Sequence, residues 1–561
     1  MDYKSYIAKN LNIDGVSESE IYELISLPPD NSMGDFALPC FKFAKVMRKS
    51  PIMIAEELSK TFPVGEVIVK VTAVNGYLNF TVNRSERAKK VLSEVLSKGE
   101  NYGSSNVGEG KTVCIDYSSI NVAKPFHIGH LSTTVIGGAL YKIYKKLGYN
   151  VVGINHLGDY GTQFGKLIYA YKEWGNREDV EKGRVKELMR LYVKYHDEAE
   201  KNPLLDDKAR EYFKLIETGD KECNELFKWF KELTLIDVER VYTQLGVTFD
   251  SYAGESFFND KMSPVISELT EKGLLVESDG AKIVDLESYG MPPCLILRSD
   301  GASLYATRDL AAAIYRKNTY DFDKCLYVVA YQQNLHFKQF FKVLELMGKP
   351  WAKDMVHVAF GMVSLEEGTM STRKGKVVFL EDVINKCCEK ALSIINEKNP
   401  DLEDKEETAK AVGTGAVIFG ALSSSRIKDI VFSYDKVLNF DGETGPYCQY
   451  TYARASSVMK KAGEFNGYIV PNNLSDDEYA LISALASYSE VINLSAERYE
   501  PSIITRYAVD LSEAFNKFYF DCKILGENEE VKNFRLALTL ATKTVLKNAL
   551  SLLGIKTPEK M

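Results

Sequence analysis

A chain of 561 residues is too long for one hydrophobic core, so about two to four domains are expected. Its 45% hydrophobic and 26% charged content is that of an ordinary soluble globular protein, and no apolar stretch is long enough to span a bilayer. The net charge of −8 argues mildly against a nucleic-acid partner, but binding depends on where Lys and Arg cluster, so this number decides little. Nine cysteines without a C-x-x-C pair, two of them adjacent at Cys387-Cys388, suit reduced thiols better than a disulfide framework or zinc ribbon. The opening Met1-Asp-Tyr-Lys-Ser-Tyr lacks the apolar core of a signal peptide, and a cytoplasmic location is expected.

Residues 1–100 read as a small α/β domain without catalytic character. Pro28-Pro29-Asp30 to Phe36 is rich in turn formers. Asn75-Gly76 between the alternating runs Val67–Ala73 and Tyr77–Val82 predicts a β-hairpin. A helix follows from about Arg84 to Ser97, and Gly103 to Gly110 reads as a linker.

The segment Val113–His130 dominates the middle of the chain. An apolar run, Val113 to Tyr117, stops at Ser118-Ser119; a polar loop with Asn121, Lys124 and Pro125 leads to a helix from about His127 to Leu147, and a second apolar run spans Val151 to Asn155. Strand, loop, helix and strand at this spacing describe a βαβ unit, whose loop and helix start lie where open α/β sheets bind ligands. Helix-start amides and a positive dipole favour phosphate there. His127 and His130 are three apart and share a helix face, with Gly129 between them leaving room for a base or ribose. Imidazole donors suit a pentacovalent phosphate transition state, although two histidines at this spacing also occur as surface residues or as half a zinc site.

Asn155-His156-Leu-Gly158-Asp159-Tyr160-Gly161 again puts polar groups after a buried strand, as a ligand edge or a capped turn. Residues 177–245 are highly charged with helical periodicity and read as a helical insertion. Tyr305 and Asp309 share one helical face, where an acid beside a phenol can fork to a guanidinium or simply cap a surface helix. Tyr327 to Ala330 reads as a core strand, with Gln333 and His336 just beyond its end. Phe360-Gly361-Met362-Val363 reads as strand and turn. The loop Gly368-Thr369-Met370-Ser371-Thr372-Arg373-Lys374-Gly375-Lys376 combines cations, hydroxyls and glycines, either to close over a triphosphate or as a basic exposed turn. From about residue 378 the pattern is mostly helical. Gly413-Thr-Gly415 has the wrong spacing for a dinucleotide loop. Tyr447, Gln449, Tyr450, Tyr452 and Arg454 interleave aromatic, amide and guanidinium groups, as RNA-stacking faces or as core tyrosines. Phe534 to Ile555 reads as an apolar-periodic helix pair.

Together these stretches resemble the arginyl-tRNA synthetase family of class I. His127-Ile-Gly-His130 matches the first signature of the class, and Met370-Ser-Thr-Arg-Lys-Gly375 resembles the arginyl form of the second. Ser119-x-Asn121, Asn155 to Gly165, Tyr305-Ala-Thr-Arg-Asp309, Gly445-Pro-Tyr-x-Gln-Tyr and the ending Leu-Leu-Gly-Ile-x-x-Pro-Glu-x-Met561 are similar to arginyl-specific blocks, and Gly34-Asp35-Phe36-Ala with Gly76 to Phe80 fits the family's tRNA-contacting additional domain.

The resemblance implies a Rossmann-type parallel-sheet catalytic domain over 106–380 with the helical insertion at about 177–245, a small α/β N-terminal domain over 1–105, and an all-helical anticodon-binding domain over 381–561. It implies a ligase whose substrates are ATP with accompanying Mg²⁺, L-arginine and its tRNA, acting as a monomer, with no structural metal. By residue, it implies His127 and His130 at the α-phosphate; Gly129, His336, Met362 and Val363 around adenosine; and Ser371, Arg373 and Lys374 at pyrophosphate. Tyr305, Asp309 and Gln333 would read arginine, with Glu255 a further candidate for its guanidinium, Ser119 and Asn121 near the α-amino and carboxylate end, His130 among the arginine contacts, and Tyr447 to Arg454 at the anticodon arm. Three positions depart from the family pattern, Thr369, Ile120 and Ser132, and none removes a group the chemistry requires.

Overall fold

The computed structural model describes residues 3–26, 28, 33–299, 305–365, 378–465, 467–526 and 528–561. The chain divides into two compact units. One comprises Met1–Gly99 with Ala462–Ala486 and Ala514–Thr542; the other comprises Glu100–Lys461 with Ser487–Glu513 and Lys543–Met561.

The smaller unit is built on a three-stranded antiparallel sheet of β1 (Phe36–Pro39), β2 (Ile68–Val74) and β3 (Tyr77–Val82) in the order β1-β3-β2. Val74 pairs directly with Tyr77, so Asn75 and Gly76 form the expected two-residue hairpin turn. Both carry positive φ, 50° and 81°, the turn whose twist matches that of the strands. Asp35 accepts hydrogen bonds from the Val82 N–H at 2.8 Å and the Tyr479 hydroxyl at 2.5 Å, with Arg87 at 3.8 Å. A residue of the Gly34-Asp35-Phe36 block thus ties a C-terminal helix, Asp476–Ala486, to the N-terminal sheet within this unit. The core of the unit (Ile7, Leu38, Phe80, Ile54 and Tyr479 among others) spans the same two chain segments.

The larger unit holds a four-stranded parallel sheet of β4 (Thr112–Asp116), β5 (Asn150–Ile154), β9 (Lys324–Tyr327) and β10 (Met355–His357) in the order β10-β9-β4-β5. Strand β4 therefore has its successor β5 on one side and β9 on the other. The strand order reverses between β4 and β9, and open α/β sheets bind ligands beyond the carboxyl ends of the strands at such a point. A small antiparallel sheet of β6 (Leu275–Ser278), β7 (Ala281–Val284) and β8 (Cys294–Leu297) lies between β5 and β9 in sequence. The parallel pair β11 (Val363–Leu365) and β12 (Ile430–Phe432) follows. Between residues 177 and 245 the chain forms four helices, Arg177–Gly183, Val185–Lys201, Leu204–Glu217 and Lys221–Leu245. From Gly445 onward the described residues are helical apart from their connections.

Several expectations need adjusting. β9 ends at Tyr327; beyond it the Val328 N–H donates to the Asp116 carbonyl at 2.9 Å and Ala330 keeps a bridge to Phe360. The helix expected from His127 begins in regular form at Leu131, after a 3₁₀ turn at Ile128–His130. His127 stays extended and accepts the Gly129 N–H on its ring, acting as the cap. The predicted terminal helix pair is one continuous helix, Glu529–Leu552, because no glycine or proline interrupts it.

The helix Leu131–Lys146 lies against β4 through Gly137, where an added Cβ would sit 2.2 Å from the Tyr117 ring. Replacement Gly137→Ala is expected to destabilise the fold by about 1–3 kcal/mol, the ordinary range for overpacking. Thermal unfolding measures it, and a melting temperature equal to that of the parent would contradict this packing.

Candidate active site

The first turn after β4 sets the site. Ser118 and Ser119 adopt left-handed φ of 68° and 45°, a conformation that costs non-glycine residues energy and needs external support. Thr133 supplies it, accepting the Ser118 N–H at 3.0 Å and donating to the Val328 carbonyl at 2.7 Å, so one hydroxyl joins the ends of β4 and β9. The Ser118 hydroxyl lies 2.9 Å from Thr134 Oγ1 and 2.8 Å from the Tyr242 hydroxyl. Beyond it, Asn121 bridges Gly158 in the loop after β5, and the Val122 N–H donates to the Gly158 carbonyl at 3.1 Å. Two expected blocks are thereby fastened side by side.

The His127 and His130 rings lie against each other with centroids 4.0 Å apart and planes tilted by 39°. His127 Nδ1 accepts the Gly129 N–H at 3.1 Å and His130 Nδ1 accepts the His127 N–H at 3.2 Å. Burial holds the His127 imidazole below its ordinary value, and burial with the nearby His127 brings His130 down to about 3. Both rings are therefore neutral near pH 7. With Nδ1 accepting, each carries its proton on Nε2 and remains a hydrogen-bond donor. His127 forms an isolated bridge with Phe379, and the Ile128 N–H donates to the Val378 carbonyl at 3.2 Å, three residues beyond the second signature. Ser371, Arg373 and Lys374, with Thr369 and Lys376, lie outside the described residues.

Acids gather across the rim. Tyr305 opens the helix Tyr305–Tyr320 and is 69% exposed. Asp309 lies one turn further on, with Oδ2 2.6 Å from His336 Nε2. His336, expected beside adenosine, thus sits against Asp309. Glu255 is fixed through its N–H to the Leu157 carbonyl at 2.8 Å. Burial pushes its carboxyl up to about 7; Asp309 and Asp159 add to the shift, while Arg308 and Lys124 oppose it. Asp159 itself is satisfied by Lys231 Nζ at 2.6 Å and by the Ser256 N–H and hydroxyl, each at 2.8 Å. Gln333 is exposed in the 3₁₀ turn Tyr331–Gln333. Beside Tyr305 a polar cavity of about 750 Å³ is lined by Lys124, Tyr160, Lys166, Tyr192 and His196.

Met362 donates its N–H to Asp429 Oδ1 at 2.7 Å and Val363 begins β11, which anchors this stretch on the residues before β12. The interleaved aromatics occupy the helix Gly445–Ala462 and do not share one exposed face. Gln449 is buried and donates to the Ala411 and Lys556 carbonyls, and Tyr452 is buried with its hydroxyl 2.6 Å from Glu559. Tyr447 is half-buried, whereas Tyr450 is exposed with the Arg454 guanidinium 5.0 Å over its ring. A 3.6-residue period cannot turn every member of so dense a set outward.

Sequence reasoning missed Asp116 and Arg316. Asp116 ends β4, and its Oδ2 lies 2.7 Å from Nη2 of the buried Arg316. Burial is the largest single influence and opposes the guanidinium charge, but Asp116, Tyr327 and Cys325 together outweigh it and hold the Arg316 pKa well above the ordinary value. Two signals were available: a lone charge in an apolar strand, and an arginine seven residues beyond Asp309 on the same helix face.

Comparison with known proteins resolves what such a rim belongs to. Residues 91–434 match the family described as "tRNA synthetases class I (R), catalytic domain". The chain belongs to the class I arginyl-tRNA synthetase family. Residues 1–82 match the "Arginyl tRNA synthetase N terminal domain" and 448–561 the "DALR anticodon binding domain". Proteins named arginine--tRNA ligase from Clostridioides difficile and Alkaliphilus metalliredigens are 56% and 55% identical, with 100% of both chains covered in each case. The solved Thermus thermophilus arginyl-tRNA synthetase is similar with a TM-score of 0.86 at 26% identity, over 100% of this chain and 99% of that one.

Glu255 makes the acid side of the site sensitive to pH. Below about 7 its carboxyl is neutral and above it a carboxylate. Affinity for free L-arginine, measured by calorimetry, should rise between pH 6 and pH 8, and that rise should vanish in Glu255→Gln. For stability the sign is opposite. The folded-state value lies above the ordinary 4.5, so the stabilisation from this group is complete below about 4.5 and lost as pH rises through about 7.

Proposed function

We propose that the chain activates L-arginine with ATP to arginyl-adenylate and transfers the arginyl group to the 3′ end of its tRNA. The observation that carries this reading is the linkage of the loop that leads from Ser119 to the two neutral imidazoles with the acid-bearing elements: Ser119 reaches the helix of Asp309 through Asp116 and Arg316, and Lys124 of the same loop acts electrostatically on Glu255. The full-length relatives named arginine--tRNA ligase support it.

In the first step the arginine carboxylate attacks the α-phosphorus of ATP, a new P–O bond forms and pyrophosphate leaves. Charge grows on the non-bridging oxygens, where the Nε2 protons of His127 and His130 stabilise it. Gly129, His336, Met362 and Val363 hold adenosine, although the contact of His336 with Asp309 equally suits it to orient that acid. Ser371, Arg373 and Lys374 attend the departing pyrophosphate, with Mg²⁺ accompanying the nucleotide. Asp309, Glu255, Tyr305 and Gln333 read the guanidinium, whose planar fork satisfies carboxylates in a way that lysine cannot. Ser119, Asn121 and His130 face the α-amino and carboxylate end. In the second step a ribose hydroxyl of the terminal tRNA nucleotide attacks the arginyl carbonyl and AMP leaves. The cavity beside Tyr305, with aromatic rings and lysines, suits that nucleotide.

Residues 1–105, 106–380 and 381–561 serve as tRNA-contacting, catalytic and anticodon-binding domains of a cytoplasmic monomer. Tyr447, Gln449, Tyr450, Tyr452 and Arg454 belong to the anticodon-arm face, with Tyr450 and Arg454 contacting RNA and buried Gln449 and Tyr452 supporting their helix.

Asp309→Ala is expected to abolish arginine-dependent ATP–pyrophosphate exchange, measured with tRNA present, and to leave tRNA affinity nearly unchanged. Exchange equal to that of the parent would remove the basis for the arginine assignment.

A further inference from the structure

The two halves of the proposed amino-acid site sit on different elements. The α-amino end is read from the loop after β4, through Ser119 and Asn121, and the guanidinium from the helix Tyr305–Tyr320, through Tyr305 and Asp309. An enzyme that selects a side chain by length must hold those elements at a set separation. Backbone hydrogen bonds of β4 join it to β5 and β9 and leave its distance to that helix to side chains.

One chain of contacts crosses the gap. The Ser119 hydroxyl donates to Asp116 Oδ1 at 2.7 Å; Asp116 Oδ2 lies 2.7 Å from Arg316 Nη2; and the same Nη2 lies 3.4 Å from His156 Nδ1 in the loop after β5. The side chains of Arg316 and Asp116 are 3% and 7% exposed. Arg316 stands seven residues beyond Asp309, two turns or about 10 Å along the same helix face. Tyr327, the last residue of β9, places its ring 5.3 Å from the guanidinium. Arg316 touches neither end of the proposed substrate site, yet it is bonded to the residue that orients Ser119 and is rigidly joined to Asp309. A buried ion pair is weak evidence for stability, since well-packed apolar residues of similar volume often do as well. What it supplies in addition is a fixed separation, because any slippage leaves two desolvated charges unpaired.

We propose that the Asp116–Arg316 pair is the spacer that sets the distance between the α-amino-reading and guanidinium-reading halves of the site, making Arg316 a positioning residue for amino-acid length. This rests on the reading of Ser119 and Asp309 as substrate contacts. The spacer selects arginine against analogues one methylene longer or shorter, a difference that pocket contacts alone discriminate only modestly.

The test uses the full-length enzyme with tRNA in pyrophosphate exchange. Two variants serve: Arg316→Lys, which keeps the charge but shortens the reach, and the double variant Asp116→Asn/Arg316→Met, which leaves no unpaired charge. The expected result for both is a KM for arginine raised roughly tenfold, a KM for ATP unchanged within about twofold, and an arginine-over-homoarginine preference reduced roughly tenfold. Arg316→Lys should retain more of that preference than the double variant, and it carries the test alone if the double variant does not fold. A lowered melting temperature with the arginine KM and the preference unchanged would reduce the pair to a structural staple and overturn the proposal, as would a parallel rise of both KM values. Should Asp309→Ala keep arginine-dependent exchange, the reading of the site fails. Should that variant be inactive while the spacer variants discriminate like the parent, the spacer alone fails.

Discussion

A two-residue left-handed turn at Ser118–Ser119 carries the geometry of the larger unit. Without it, the chain leaving β4 would continue outward from the sheet. With it, the chain doubles back so that Asn121 bridges Gly158 and His127 enters the capped start of the next helix. Such backbone persists only where its surroundings over-determine it. Here they do: Thr133 grips the Ser118 amide and the Val328 carbonyl together, and Thr134 and Tyr242 enclose the serine hydroxyl. The hydroxyls at positions 118, 133 and 134 belong to this clamp, and their burial follows from it.

Desolvation then divides the rim into two electrical halves. On the imidazole side it removes charge, leaving two neutral rings whose Nδ1 atoms are occupied by backbone amides. Neutral donors can face a phosphate that gains charge during reaction without binding its ground state as tightly as a cation would. Across the rim, desolvation leaves Glu255 reluctant to ionise beside Asp309 and Asp159. A carboxyl in that condition gains most from an incoming cation, because the cation relieves both its burial and the repulsion of its neighbours. Under the proposed function, the same physical effect suits the two halves to opposite ligands.

Buried polar groups outside the rim do quieter work. Asp35 and Tyr479 join distant chain segments within the smaller unit, and Gln449 pins its helix to Ala411 and Lys556. Gly413, set aside as a dinucleotide glycine, lies inside the helix Lys405–Leu422, where an added Cβ would meet the Cys388 backbone at 2.5 Å. It serves close helix packing.

Local chemistry was legible in the letters wherever it acts over a few residues. The Asn75-Gly76 turn, the βαβ unit around His127, the helix bearing Tyr305 and Asp309, and the charged helices between 177 and 245 all follow from turn propensity and hydrophobic period. Which polar residues face each other did not follow. Periodicity assigns a side chain to a face of its own element, but cannot say what packs against that face. Asp116 and Arg316 stand two hundred residues apart in the chain and meet only because β4 lies beside β9 and beneath the helix that precedes it. His336 meets Asp309, and Tyr452 turns inward, for the same reason. Burial and long-range pairing are properties of the assembled core; they decided the protonation of the histidines, the reluctance of Glu255 and the inward turn of the aromatic helix.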